Sequence, residues 1–221
     1  LVLGRSEFDP NRIEPTLDDG YTLTMEEARR HAPATERNRT FILEVLRRVL
    51  PTEGTVLEIA SGTGQHMAYF ASQFSAHQWL PTDLDHEALP SIESWCSGLT
   101  NVLPAQTLDV CKRWPDLNVD AVLNINMIHI SPWSATQGLF SGARGIIKPD
   151  GMLYLYGPFM RDGRHTAASN AQFDEKLRSV DPRWGVRDLN EVVGCANEHG
   201  FSLDQVIEMP ANNMSVIFRR S

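Results

Sequence analysis

The residues best equipped for chemistry lie in one short segment, Glu58-Ile59-Ala60-Ser61-Gly62-Thr63-Gly64-Gln65-His66. Its small residues separate a β-branched apolar run, Thr55 to Ile59, from a helical stretch starting at His66. Such a turn lets a ligand approach backbone N–H groups closely, and strand, tight turn, helix opens a Rossmann-like unit. Two details narrow the ligand. Glu58 stands just before the turn, and the third position of a dinucleotide fingerprint is Met67 counted from Gly62, or Gln65 counted from Ala60. An NAD site wants Gly or Ala there for helix packing, with the pyrophosphate on the helix N-terminus. S-adenosyl-L-methionine has no pyrophosphate, so the pattern favours that cofactor over a dinucleotide.

Further along, Asp83 ends a second strand, where a carboxylate can accept both hydroxyls of a ribose; a turn or N-cap duty within Thr82-Asp83-Leu84-Asp85 is the alternative. Asp109 follows a third strand and can accept from an adenine amino group, with the Val110 N–H beside it. At the end of a fourth strand come Asn124, Asn126, His129, Ser131, Pro132 and Trp133, facing the pocket if ligands sit beyond the carboxyl ends of the strands. His129 is the candidate general base, since histidine titrates near physiological pH; a hydrogen-bonded structural histidine is the competing reading. Between the fifth strand and the last helix lie Arg161, Asn170, Asp174, Trp184, Arg187 and Asp188, in a stretch placed to cover an acceptor. There Arg187 either pairs with a substrate carboxylate or phosphate or makes a structural salt bridge to Asp188 or Asp174. Trp133, Tyr156, Asn170, Trp184 and Arg187 form the expected substrate-binding set. No histidine or cysteine spacing suggests a metal site, and no GxSxG elbow suggests a serine hydrolase.

These residues need a frame, and the apolar pattern supplies one. Ile42, Leu43, Leu46, Val49 and Leu50 mark one face of a helix running from Ala34 and ended by Pro51 and Gly54. After the first strand and its helix, strands are expected at 78–82, 102–108, 120–128 and 152–156, with helices at 87–97 and 134–147 and a turn at Lys148-Pro149-Asp150-Gly151. A helix from Leu189 to His199 stops at Gly200, and strands at 203–209 and 214–218 form a terminal pair with a tight turn near Asn212 and Asn213. Strands alternating with helices predict an α/β, Rossmann-like, mostly parallel sheet with one antiparallel strand. Residues 1–33 read as an irregular arm with one short helix near Met25 to His31, and residues 34–221 as one domain. The first eight or so residues are expected to carry no functional information.

Composition bounds the partners. A net charge of −8 over 221 residues argues against a broad nucleic-acid surface, and no apolar run is long enough to span a bilayer. Cys96, Cys111 and Cys195 are scattered without CxxC spacing, as expected of buried thiols in a reduced, cytoplasmic setting. The oligomeric state leaves no mark in the sequence.

Several longer motifs add a resemblance. "VLEIASGTGQH" at 56–66, "HISPW" at 129–133, "YGPF" at 156–159, "FDEKLRSVDPRWGVRD" at 173–188 and "MPANNMSVIFRR" at 209–220 occur in order, with "ATERNR" at 34–39 ahead of them. Together they resemble the domain of unknown function 938 group, the family of methyltransferase-like protein 26. That resemblance implies a class I methyltransferase fold of seven strands, which converts S-adenosyl-L-methionine to S-adenosyl-L-homocysteine. The expected cofactor set is Glu58, Ala60, Ser61, Gly62, Gly64, His66, Asp83, Leu84, Asp109, Val110 and Asn126, with Arg37 from the preceding helix. Ala60 stands where most of the superfamily has glycine, and the turn is expected to avoid positive φ there. The acceptor is expected to be a small molecule; RNA or protein acceptors, or cofactor binding without transfer, are the alternatives.

Overall fold

The computed structural model describes residues 26–221. Of the expected arm, residues 1–25 lie outside the described residues. In place of a short helix ending at His31, residues 26–28 make one turn and 29–32 carry no regular structure. That piece is tied down by polar contacts: the Arg29 guanidinium donates to Ser94 Oγ and Ser94 O, the Arg30 N–H to Ser91 Oγ, and the Ala32 N–H to Gln65 Oε1.

From there the chain follows an alternating order: α1 (Pro33–Val49), β1 (Gly54–Ile59), α2 (Gln65–Gln73), β2 (His77–Asp83), α3 (Leu89–Cys96), β3 (Gln106–Thr107), β4 (Val119–Ile125), α4 (Trp133–Ile146), β5 (Ile147–Gly157), β6 (Phe159–Arg161), β7 (Arg164–His165), α5 (Ala168–Val180), β8 (Arg187–Asp188), α6 (Leu189–Glu198), β9 (Phe201–Met209) and β10 (Asn213–Arg220). Among the described residues the main sheet has seven strands in the order β3-β2-β1-β4-β5-β10-β9. β10 runs antiparallel to both neighbours and is the one reversed strand among otherwise parallel ones.

Alternating side chains along each strand divide the core between two faces. Leu57, Ile59, Val122, Leu153, Leu155 and Val216 pack against Leu139, Phe140 and Ala143 of α4 and Val192 and Ala196 of α6. Val56, Ala121, Leu123, Met152, Tyr154 and Ile217 face Ile42 and Leu46 of α1, Met67 and Phe70 of α2 and Ile92 of α3. With helices on both faces, the central strands are buried throughout, which is why they read as near-continuous apolar runs.

Within the sheet and its connections the structure departs from the sequence reading in three further places. Lys148 to Gly151 is no free turn but an irregularity within β5, where the register shifts between Val119 and Ala121 of β4. Asp150 adopts φ 63° there, and Lys148 Nζ donates to both oxygens of Asp120, at 2.8 and 2.9 Å. The expected strand at 102–108 shrinks to one bridge at Val102 and the two residues of β3, because Pro104 has no N–H for the ladder. The stretch after β5 is structured: β7, β6 and β8 form a small three-stranded sheet beside α5. Among the described residues no helix is long and apolar enough to cross a membrane.

Candidate functional site

The parallel strands β1, β2 and β4 all end on the same edge of the sheet, and a cavity of about 470 Å³ opens beyond their carboxyl ends. That volume lies in the range of small-molecule sites. Its floor is the β1–α2 turn, which is strapped to β2: the Ser61 N–H donates to Thr82 O at 2.8 Å, and Thr82 Oγ1 donates to Glu58 O at 2.7 Å. Ala60 does adopt left-handed φ, at 59°, contrary to expectation. Strain of this kind in a residue with a Cβ is held only where the surroundings over-determine it, and these straps do so. Gly62 has φ +58°, and a Cβ placed on it would meet nothing within 4 Å; the backbone there faces open space that a ligand can enter. Gly64 is glycine for a different reason. It has φ +85° and a Cβ would come within 2.5 Å of Ile92 Cα, so its absence lets α2 pack on α3.

The Asp83 carboxylate is oriented by the backbone. One oxygen accepts from the Gly62 N–H at 2.8 Å and the other from the Asp85 N–H at 2.9 Å. Each oxygen keeps a lone pair for a further donor. Asp85 serves as the N-cap of the short 3₁₀ turn at His86–Ala88. The cavity walls are apolar: Leu84 and Ile130 are 62% and 44% exposed, two of the few large hydrophobic side chains left open to solvent among the described residues, and both line the cavity with Leu108, Val110 and Ala135. An apolar slot beside a fixed carboxylate suits a nucleoside, whose base is flat and whose sugar carries hydroxyls. Asp109 also lines the cavity, with Oδ1 accepting from the Cys111 N–H at 2.9 Å and Oδ2 3.3 Å from Lys112 Nζ. Cys111, expected to be buried, is exposed on this wall.

Beneath the turn, Glu58 and Ser61 are buried, and neither Glu58 Oε2 nor Ser61 Oγ completes a hydrogen bond among the described residues. Burial raises the Glu58 carboxyl from its ordinary 4.5 to about 7; the neighbouring Ser61 hydroxyl offsets part of that and the Asp83 charge adds to it. His66 is turned aside: its Nε2 lies 2.7 Å from Asn38 Oδ1, and burial, then the Arg39 charge, lower its pKa to about 3.

Arg37 and Asn126, expected with the cofactor contacts, line a second and smaller pocket of about 190 Å³. Its other walls are Asn38 and Phe41 of α1, Tyr156 of β5, and Pro210, Ala211 and Asn213 around the β9–β10 turn. Ile125 and Met127 line the large cavity, so residues 125–127 form a partition between the two spaces. Asn126 holds that partition with φ 66° and an N–H bond to Tyr156 O at 2.8 Å.

The remaining expected residues sit elsewhere. His129 is fully buried, with Nδ1 accepting the Arg187 N–H at 3.3 Å and the ring edge-on to Phe159 at 5.0 Å. Burial and then the Arg187 charge lower its pKa to about 3, so it stays neutral and enclosed, and nothing in either cavity touches it. Arg187 makes neither of the expected ion pairs: its guanidinium donates to Ile128 O at 2.9 Å, Ser131 O at 2.6 Å and Arg183 O at 3.0 Å, and lies 5.7 Å from the Trp133 ring. It braces the 128–131 wall of the large cavity from behind. Trp133 and Arg187 border a separate surface groove with Glu191 and Glu198. Asn170 is buried; its amide donates to Thr166 Oγ1 at 3.1 Å and, tying α5 to the hairpin turn, to Asn212 O at 2.9 Å; Trp184 is half-buried on the 181–187 loop. The bracing continues to Asp174, buried in α5, which accepts from the Val186 N–H at 2.7 Å and from Arg178 Nε at 2.9 Å.

Solved structures with this fold include an O-methyltransferase family protein from Burkholderia thailandensis, with a TM-score of 0.70, 19% identity, and 85% of this chain covering 57% of that one. CalO1, a methyltransferase in calicheamicin biosynthesis in an SAH-bound form, has a TM-score of 0.68 at 15% identity, over 85% of this chain and 55% of its own. An O-methyltransferase family 2 protein from Planctomyces limnophilus, in complex with apigenin, has a TM-score of 0.68 at 15% identity, over 84% and 62%. The chain thus spans 55 to 62% of the length of these proteins, and the likeness defines its fold as that of the class I methyltransferases. Sequence defines the family more narrowly. Residues 29–220 match the model described as protein of unknown function (DUF938), and the chain belongs to that family.

Proposed function

We propose that this protein binds S-adenosyl-L-methionine in the 470 Å³ cavity and transfers its methyl group to a small-molecule acceptor, releasing S-adenosyl-L-homocysteine. The observation that carries this reading is the pairing of the Asp83 carboxylate, fixed by two backbone N–H groups, with the exposed apolar pair Leu84 and Ile130. Asp83 would hold the ribose hydroxyls, Leu84, Val110 and Ile130 the faces of the adenine, Asp109 its amino group, and the open backbone at Gly62 the chain that leaves the ribose.

With the cofactor bound, the chemistry on offer is an in-line displacement: an acceptor lone pair forms the bond to the sulfonium methyl as the C–S electron pair returns to sulfur. The chain's own part is to align and to exclude water. The strapped β1–α2 turn holds the floor rigid, Arg187 holds the 128–131 wall, and Asn126 stands at the partition across which the methyl group would pass. His129 is fully buried and lines neither cavity, so the reading requires no base from that residue.

Calorimetric titration of the full chain with S-adenosyl-L-methionine, S-adenosyl-L-homocysteine and NAD tests this directly. Saturable binding of the first two, with none of NAD, is the expected result. No binding of either sulfur compound at millimolar concentration would sink it.

A further inference from the structure

We propose that the 190 Å³ pocket is the acceptor site, and that its acceptor is a small carboxylic acid methylated on the carboxylate oxygen. This rests on the methyltransferase reading above and names the substrate class for it.

Three features of the pocket converge. The first is charge. Arg37 is the one charged side chain lining it among the described residues; it is exposed and forms no ion pair with any of them. A guanidinium fork matches a planar carboxylate through two parallel hydrogen bonds. Arg187, which the sequence offered for that role, has its donors committed to backbone carbonyls.

The second is the set of groups able to move a proton. Among the described residues the pocket is lined by no histidine and no carboxylate. The Tyr156 phenol is buried, which raises its pKa, so it stays protonated at physiological pH and serves as a hydrogen-bonding group. An acceptor that must lose a proton finds no base here. A carboxylate carries no proton at that pH: its oxygen lone pair forms the new bond to carbon, the C–S pair goes to sulfur, and a neutral ester and a neutral thioether result from an anion and a sulfonium.

The third is position and size. The pocket has less than half the volume of the cofactor cavity and adjoins it at Asn126. Phe41, 43% exposed, offers an apolar face for the acid's hydrocarbon part. Two of the lining residues, Asn126 and Ala211, hold left-handed φ of 66° and 57°, strain of the sort that clusters at ligand clamps.

Benzoate and its uncharged isostere benzamide are suitable probes. Each is titrated into the full chain saturated with S-adenosyl-L-homocysteine, for wild type and Arg37→Gln, and methyl benzoate is sought by mass spectrometry after incubation with S-adenosyl-L-methionine. Benzoate is expected to bind wild type, to lose about tenfold or more in Arg37→Gln and to yield ester; benzamide is expected to bind weakly and equally to both. Arg37→Gln should bind S-adenosyl-L-homocysteine within about twofold of wild type. If the variant instead loses the sulfur compound and leaves benzoate unchanged, the guanidinium serves the cofactor's own carboxylate and the inference is overturned. Benzamide binding as well as benzoate, or no benzoate binding to the loaded protein, overturns it too. Wild type that binds no S-adenosyl-L-homocysteine would fail one step earlier, at the proposed function.

Discussion

Removal of the Asp83 carboxylate gives the most direct test of the proposed cofactor cavity. In Asp83→Ala the two oxygens proposed to accept from ribose hydroxyls disappear, together with the pair of backbone bonds to Gly62 and Asp85 that aim them. A hydrogen bond to a charged acceptor is worth roughly 1.5–3 kcal/mol. Asp83 is only half-buried, so water competes and the lower figure applies to each, a total of about 3 kcal/mol. At ~1.4 kcal/mol per decade, the dissociation constant for S-adenosyl-L-methionine should rise about a hundredfold. The backbone N–H groups left behind reach water, so the melting temperature should fall little. Calorimetry gives the affinity and differential scanning fluorimetry the folding control. A folded Asp83→Ala protein that binds within about threefold of wild type would refute the reasoning, because no ribose could then depend on this carboxylate.

Other perturbations follow from the same geometry. Glu58 has a folded pKa of about 7, above its ordinary 4.5, so its contribution to stability is present in full below 4.5 and lost as pH rises through 7; at ~1.4 kcal/mol per pH unit the loss is ~3 kcal/mol. Glu58→Gln should therefore melt higher than wild type near pH 8.5 and lose the advantage near pH 5, and parallel pH curves for the two would disprove the assignment. His129 has its pKa lowered to about 3 from 6.5, so its contribution is intact above 6.5 and lost as pH falls toward 3. His129→Ala should cost roughly 2–4 kcal/mol by the cavity it leaves, yet keep the wild-type pH dependence of turnover between about pH 7 and 9; a changed profile there would restore the general-base role. Arg187→Ala frees the carbonyls of Ile128 and Ser131 and should weaken cofactor binding about tenfold through the 128–131 wall, with Arg187→Lys recovering little because an ammonium lacks the fork. Equal affinities in wild type and Arg187→Ala would show that the wall stands without its brace.

How much of this the sequence disclosed depended on whether the signal was local. β1 and β4 were legible because strands buried on both faces leave unbroken apolar runs, and the β1–α2 turn because its small residues serve one local purpose. Helix α5 was not: only Asn170, Asp174 and Leu177 of its 13 residues are buried, so no apolar period marks it. The left-handed Ala60 was missed for a related reason, since the straps from Thr82 that hold it come from another strand. Arg187 and His129 carried the right chemistry for a site, and what turned them inward is contact across about 58 residues of chain, which no spacing rule records. The small pocket left no mark as a pocket. Tyr156 was placed with the substrate, but Asn38 and Asn213 meet it only because α1 and the hairpin turn reach the same end of β5.

The reversed strand β10 also has a consequence for how the molecule is made. It sits between β5 and β9, although it follows β9 in sequence. During synthesis β5, whose residues Met152 to Gly157 end up buried, must therefore emerge and wait with an open hydrogen-bonding edge while some 55 further residues follow. An unpaired apolar edge is a template for association with other chains. The burden of keeping the nascent protein monodisperse then falls on the time between the ribosome's release of β5 and of β10, and slow translation or a truncation ahead of Asn213 should show itself first as aggregation.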